Sequence, residues 1–176
     1  ANDNAPGQVV IAGNATAVAR AIEAAGINFA DTLIIAGKYQ IRPTPPFSPG
    51  FEVAGTVLEV AADVSRCRPG DRVMAVIEYG GFAEEVVAPQ DCVFVLPAGV
   101  EPVIAAGFPI AYGTSHLALT YKAGLRAGET LLVHGAAGGV GLTAVEIGKR
   151  LGARVIATAG GKEKMAVASA AGADVV

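Results

Sequence analysis

The sequence is short of charge. Only 16% of its 176 residues are Asp, Glu, Lys or Arg, against about a quarter in an ordinary globular chain. With 52% apolar residues it has too little charge and too much hydrophobic content for a disordered chain, and enough to bury a core. Basic residues are not in excess: 13 Lys and Arg against 16 Asp and Glu leave a net charge of -3, so a nucleic-acid partner is not expected. Cys67 and Cys92 are the only cysteines, which excludes a disulfide scaffold and a four-cysteine zinc site and suits a reducing, cytoplasmic setting. No apolar run approaches the ~18 residues of a membrane-spanning helix, so no membrane span is expected. The first residues, Ala-Asn-Asp-Asn-Ala-Pro-Gly, have neither the basic nor the apolar stretch of a signal peptide.

What is present is glycine, 23 residues, and proline, 10, unevenly spread over segments of different texture. Residues 1–24 form an atypical strand-helix segment: Gln8–Ala12 reads as a strand, and a helix is predicted over roughly Ala15–Ala25, capped by Asn14 or Thr16. Residues 25–123 begin with short strands (Phe51–Val60, Arg72–Ile77, Glu85–Ala88, Cys92–Leu96) separated by Pro/Gly turns, as in a β-rich barrel or sandwich. They end in helical sequence over Ala105–Leu119, with Gly107 and Pro109 as breaks. Residues 124–176 change period to strand Thr130–His134, helix Gly141–Leu151, strand Arg154–Thr158, helix Glu163–Ala171 and the beginning of a third strand at Ala173–Val176. That alternation predicts an α/β parallel sheet with crossover helices.

The sharpest motif joins the first of these strands to its helix: His134-Gly135-Ala136-Ala137-Gly138-Gly139-Val140-Gly141. Ala136-x-Gly138-x-x-Gly141 has the spacing of a dinucleotide-binding turn with its first glycine replaced by alanine. In such a turn Gly138 lets the backbone approach a pyrophosphate, and Gly141 lets helix and strand pack closely. The N–H groups of Ala137, Gly138, Gly139, Val140 and Gly141 lie where a helix start attracts anions. The competing reading is a tight turn that needs glycine for geometry alone. An NAD site places an acid about 20 residues further on, to hold the ribose hydroxyls. Here the stretch is Ala159-Gly160-Gly161-Lys162-Glu163-Lys164, with no acid at the expected position and two lysines beyond it. Lys162 or Lys164 would stabilise a 2′-phosphate, so NADPH is the predicted cofactor; ordinary solvated lysines are the alternative.

From Ala25 to Val176 the chain resembles the medium-chain dehydrogenase/reductase superfamily, specifically its zinc-independent quinone oxidoreductase branch. The likeness rests on Ala25-Gly26-Ile27-Asn28-Phe29-Ala30-Asp31-Thr32, Gly37-Lys38-Tyr39, Pro49-Gly50-Phe51-Glu52-Val53-Ala54-Gly55, Pro69-Gly70-Asp71-Arg72-Val73, Gly80-Gly81-Phe82-Ala83-Glu84 and the glycine turn, in family order. It implies a GroES-like β-rich catalytic domain followed by a partial Rossmann domain. It also implies hydride transfer from NADPH to a quinone or an α,β-unsaturated carbonyl, by a protein expected to be a homo-oligomer. Asn28 and Phe51 stand where the zinc alcohol dehydrogenases of the superfamily carry Cys and His, and neither can replace a thiolate or imidazole ligand. Asn28, Tyr39 and Thr114 match polar positions lining the nicotinamide and substrate cleft, where an amide or hydroxyl could stabilise developing enolate charge. Their alternatives are a cap or turn residue for Asn28, a half-buried aromatic for Tyr39 and a helix N-cap for Thr114. Asp31 and Glu52 are expected to be structural carboxylates.

Two departures set further expectations. Residues 1–24 differ from the family's opening strands and resemble a segment of malonyl-CoA:acyl carrier protein transacylases, without that family's Gly-His-Ser-x-Gly nucleophile. The chain also stops where the resemblance implies roughly as much sequence again. A non-catalytic nucleotide-binding or oligomerising fragment is therefore the alternative function.

Overall fold

The structure is a computed structural model in which residues 8–12 and 22–176 are described, with side chains from 22 onward. The chain divides into two compact units, Ala1–Pro109 and Ile110–Val176.

The first unit is built on antiparallel strands: β1 (Gln8–Ala12), β2 (Ile22–Gly26), β3 (Glu52–Val60), β4 (Arg72–Val76), β5 (Glu85–Pro89) and β6 (Val93–Val95). Their order is β5-β1-β3-β4-β6, with β2 also pairing along β3. The alternation of β4, with Val73 and Ala75 buried and Arg72 exposed, is that of a half-buried strand. Val53, Val57, Val73, Ala75, Ala88 and Val93 meet in one core, joined by Cys67. Burial pushes the Cys67 thiol above its ordinary range, helped by the negative charge of Asp71, so Cys67 is a packing residue. A second, smaller core forms where α2 (Pro102–Ala106) lies on the sheet through Ala105 and Ala106 against Ala54.

Two sequence expectations change here. The helix predicted over Ala15–Ala25 is not seen at its C-terminal end, where Ile22–Gly26 is strand β2; residues 13–21 lie outside the described ones. Backbone pairing of Ala24, Ala25 and Gly26 with Ala54, Val53 and Glu52 outweighs the helical spacing of the apolar residues. The segment set apart as atypical also contributes β1, which pairs with both β3 and β5 and so belongs to this sheet.

The second unit holds the parallel pair β7 (Thr130–His134) and β8 (Arg154–Thr158), in register from Thr130 opposite Arg154 to His134 opposite Thr158. Helices α4 (Gly139–Arg150) and α5 (Lys162–Ala170) follow their strands as predicted. Val133, Ala136, Val145, Val155, Ala157 and Ala168 form the core. The third strand reduces to a single bridge, Ile156 with Val175. Beside that bridge the Asp174 carboxylate takes the Val155 N–H at 2.6 Å, while Lys149 holds the same group at 2.7 Å.

The unit break at Pro109 falls ahead of the boundary expected at 123/124. Helix α3 (Pro109–His116), continued by a wider π-helical turn over Leu117–Lys122, is fastened to α4 by buried hydroxyls. Thr143 Oγ1 donates to Ala111 O at 3.0 Å, and Ser115 Oγ lies 2.8 Å from Thr143 Oγ1.

Candidate functional site

The glycine turn lies at the carboxyl ends of β7 and β8, where a parallel sheet opens toward ligands. Gly135 takes φ +65, a left-handed conformation that turns the chain out of β7. The turn is closed by Gly138 N–H to Gly135 O and tied to the neighbouring strand by Ala136 N–H to Thr158 O, both at 3.0 Å. Beside it, His134 Nδ1 and Thr158 Oγ1 are 2.9 Å apart. Helix α4 begins at Gly139 with Gly138 as its N-cap and no capping side chain, so its first N–H groups have no partner within the helix.

The glycines divide into two kinds. A Cβ on Gly141 would stand 2.4 Å from Gly135 O and 2.8 Å from Ala136 Cα, so the absence of a side chain there is a packing requirement. A Cβ on Gly138 would meet only Gly135 O at 3.5 Å, and one on Gly139, Gly160 or Gly161 would meet nothing within 4 Å. Those four glycines therefore border open space beside a helix start. This shape and polarity fit a dinucleotide pyrophosphate. Lys162 and Lys164 are exposed in the first turn of α5, which opens at Gly161.

Sequence reasoning missed what anchors this turn. Ser115 and Thr143 are 2% and 6% exposed, and both hydroxyls reach Val140 O, at 2.8 and 3.0 Å, fixing the first turn of α4. Neither residue lies in a motif; the only signal was two hydroxyl residues within apolar helices. Nearby, Tyr112 Oη donates a very short hydrogen bond to Glu146. That bond, and then burial, raises the phenol above its ordinary range.

In the first unit, Asn28 is the N-cap of the seven-residue helix α1 (Phe29–Ile35), an element the sequence pattern did not announce. Its surroundings are built from two buried carboxylates, Asp31 and Glu52, each 2% exposed. Asp31 accepts the Asn28 N–H at 2.7 Å through one oxygen and the Gly50 N–H at 2.8 Å through the other. Glu52 Oε1 accepts from Asn28 Nδ2 at 2.8 Å. Tyr39 is half-buried, its ring 5.5 Å from that of Phe51 in an edge-on contact. Asn28 and Tyr39 thus belong to the first unit. Thr114 belongs to the second, where it is exposed in the middle of α3 and so is not the N-cap weighed for it. Among the described residues no group of His, Cys, Asp and Glu is arranged to hold a metal ion, and no helix is long and apolar enough to cross a membrane.

Comparison with known proteins bears on both units. The model of the alcohol dehydrogenase GroES-like domain matches residues 6–98, a span that includes most of the segment likened to transacylases. Quinone oxidoreductase-like protein 2 of Rattus norvegicus is 43% identical over 149 residues, which are 84% of this chain and 43% of that protein. The quinone oxidoreductase of Thermus thermophilus, whose crystal structures include a complex with NADPH, aligns with TM-score 0.80 and 39% identity, covering 96% of this chain and 50% of that one. The Escherichia coli quinone oxidoreductase complexed with NADPH aligns with TM-score 0.85 and 33% identity, covering 97% and 49%. The chain spans about half the length of these relatives or somewhat less.

Proposed function

The chain belongs to the alcohol dehydrogenase GroES-like family, among the quinone oxidoreductases of the medium-chain dehydrogenase/reductase superfamily, and from that premise we propose that it binds NADPH and supports zinc-independent hydride transfer to a quinone or an α,β-unsaturated carbonyl. The observation that carries the reading is the open glycine cradle at the carboxyl ends of β7 and β8. The relatives crystallised with NADPH support it.

The N–H groups of Ala137, Gly139, Val140 and Gly141 would hold the pyrophosphate, Gly138, whose own N–H closes the turn, would let the backbone approach it, and Gly160 and Gly161 leave room along β8. Lys164, with Lys162, would neutralise the 2′-phosphate; an acid in that place would repel it. NADPH, when bound, supplies the hydride. The protein's part is to orient the acceptor and stabilise charge on its oxygen, the role proposed for the Tyr39 hydroxyl with Asn28 and Thr114. Asn28 and Phe51 offer no thiolate or imidazole, so the polarising groups are hydrogen-bond donors. A homo-oligomer in the cytoplasm completes the proposal.

The test is NADPH consumption by the purified chain with 1,4-benzoquinone and with a simple enone. Turnover with either acceptor supports the proposal. NADPH binding without turnover would assign the chain a nucleotide-binding role alone, and neither binding nor turnover would overturn the whole reading.

A further inference from the structure

We propose that β1 and β2 are one strand interrupted by an insertion, residues 13–21, that the fold does not use. Two neighbouring strands count the positions independently. Along β5 the pairing runs without a gap from Gln8 opposite Pro89 to Ala12 opposite Glu85. The next position on that side is filled by Ile22, whose N–H donates to Glu84 O at 3.1 Å. Along β3, Ile11 stands opposite Val57 and Ile22 opposite Gly55, which leaves Thr56 as the place of Ala12 between them. Both segments run antiparallel to β3 and lie on its edge away from β4. That other edge is taken, by β4 from Glu52 to Thr56 and by Gly70 and Asp71 at Val57. Ile22 therefore follows Ala12 in both counts.

The count matters because a shift of one residue turns every side chain of a strand to the opposite face of its sheet. Across this junction the face is kept. Gly55 lies between Val53 and Val57 on one face of β3, both are buried in the main core of the first unit, and Ile22 packs against the same core. Glu23, the next residue, is exposed, and its carboxylate accepts from Thr56 Oγ1 at 3.1 Å. The nine residues between, Gly-Asn-Ala-Thr-Ala-Val-Ala-Arg-Ala, separate two halves of a strand that has no place for them. Joining Ala12 directly to Ile22 gives Gln-Val-Val-Ile-Ala-Ile-Glu-Ala-Ala-Gly, a ten-residue strand with every pairing to β3 and β5 kept. The unusual texture of the first 24 residues then has a cause: strand sequence of the GroES-like sheet, divided by a segment foreign to it.

The test compares the parent chain with three variants: deletion of residues 13–21, deletion of residues 12–21, and replacement of residues 13–21 by nine alternating Gly and Ser. It reads melting temperature and the hydrogen exchange of the Ile22 amide. Deletion of 13–21 removes a loop whose closure opposes folding, so this variant should melt no lower than the parent and up to about 8 °C higher. Deletion of 12–21 joins Ile11 to Ile22 and forces residues 8–11 one position along β3 and β5. It should melt about 4 °C or more below the in-register deletion, although the two differ by a single alanine. The Gly/Ser replacement should melt within about 2 °C of the parent, because the sequence of the insertion is immaterial to the sheet. The Ile22 amide, bonded to Glu84 O, should exchange slowly in the parent and in the in-register deletion alike. Slow exchange in the parent shows the junction intact before any residue is removed. The proposal is overturned by an Ile22 amide that exchanges freely in the parent, by an in-register deletion that melts below the parent or does not fold, or by two deletions that melt alike. A Gly/Ser replacement that melts well below the parent overturns it too, by showing that the fold uses residues 13–21.

Discussion

Replacing Gly141 by alanine separates the two tasks of the glycine turn. The new Cβ would lie 2.4 Å from Gly135 O and 2.8 Å from Ala136 Cα, well inside the ~3.5 Å optimum for non-bonded atoms. Both opposing atoms are backbone and cannot rotate aside, so the strain belongs at the upper end of the usual overpacking cost of about 1–3 kcal/mol. Alanine recovers up to about 1 kcal/mol of helix propensity, leaving a net loss of about 2 kcal/mol. For a chain of this size that lowers Tm by about 4–8 °C. Gly138→Ala is the contrasting case. Its Cβ meets only Gly135 O, at an ordinary 3.5 Å, and Gly138 has an extended φ of -85 that any residue adopts. Its stability cost is the exchange of one N-cap for a poorer one, about 1 kcal/mol or less. Its methyl group, however, would occupy the space assigned to the pyrophosphate, and NADPH affinity should fall about tenfold or more, the equivalent of about 1.4 kcal/mol. Thermal melts with and without NADPH, together with nicotinamide fluorescence titrations, measure both effects. The reasoning is refuted if Gly141→Ala melts no lower than Gly138→Ala, or if Gly138→Ala binds NADPH as tightly as the parent chain.

Three further outcomes are expected. Lys164→Ala should narrow the preference for NADPH over NADH about tenfold in low-salt binding titrations, with a smaller effect as added salt screens the exposed charge. Ser115→Ala removes one of two hydroxyls on Val140 O and should lower stability by about 1 kcal/mol in urea unfolding, with weaker NADPH binding because the first turn of α4 is less firmly held. Asp174→Asn should lower Tm at neutral pH. Lys149 and the Val155 N–H hold the Asp174 carboxyl below its ordinary range, so its stabilisation is present above the unfolded pKa and lost as pH falls through the folded one. The Tm gap between parent and Asp174→Asn should therefore close in acid.

The parallel unit was legible because each of its elements has a local cause. Gly135, Gly138 and Gly141 are dictated by a turn, and the apolar runs of β7 and β8 by burial on a parallel pair. The antiparallel strands were legible through their alternation and the turns between them. Strand β2 was not, because Ile22–Gly26 owes its conformation to β3, a partner remote in sequence, while its alanines favour a helix locally. Helix α1 was missed since seven residues give too short a period to read, and its cap depends on Asn28 and Asp31 meeting Glu52 and Gly50 from another segment. The Ser115–Thr143 pair was invisible for the same reason. Thr114 was named while its neighbour Ser115 carries the buried contact, a distinction of helix face that sequence resemblance does not resolve.

The central claim is that the turn from His134 to Gly141 holds the pyrophosphate of NADPH. Its most direct test is a fluorescence titration of the purified chain with NADPH and, separately, NADH at low ionic strength. Saturable binding of NADPH, tighter than that of NADH and weakened by Gly138→Ala, is the predicted result. No saturable binding of either nucleotide, or NADH bound at least as tightly as NADPH, would contradict it.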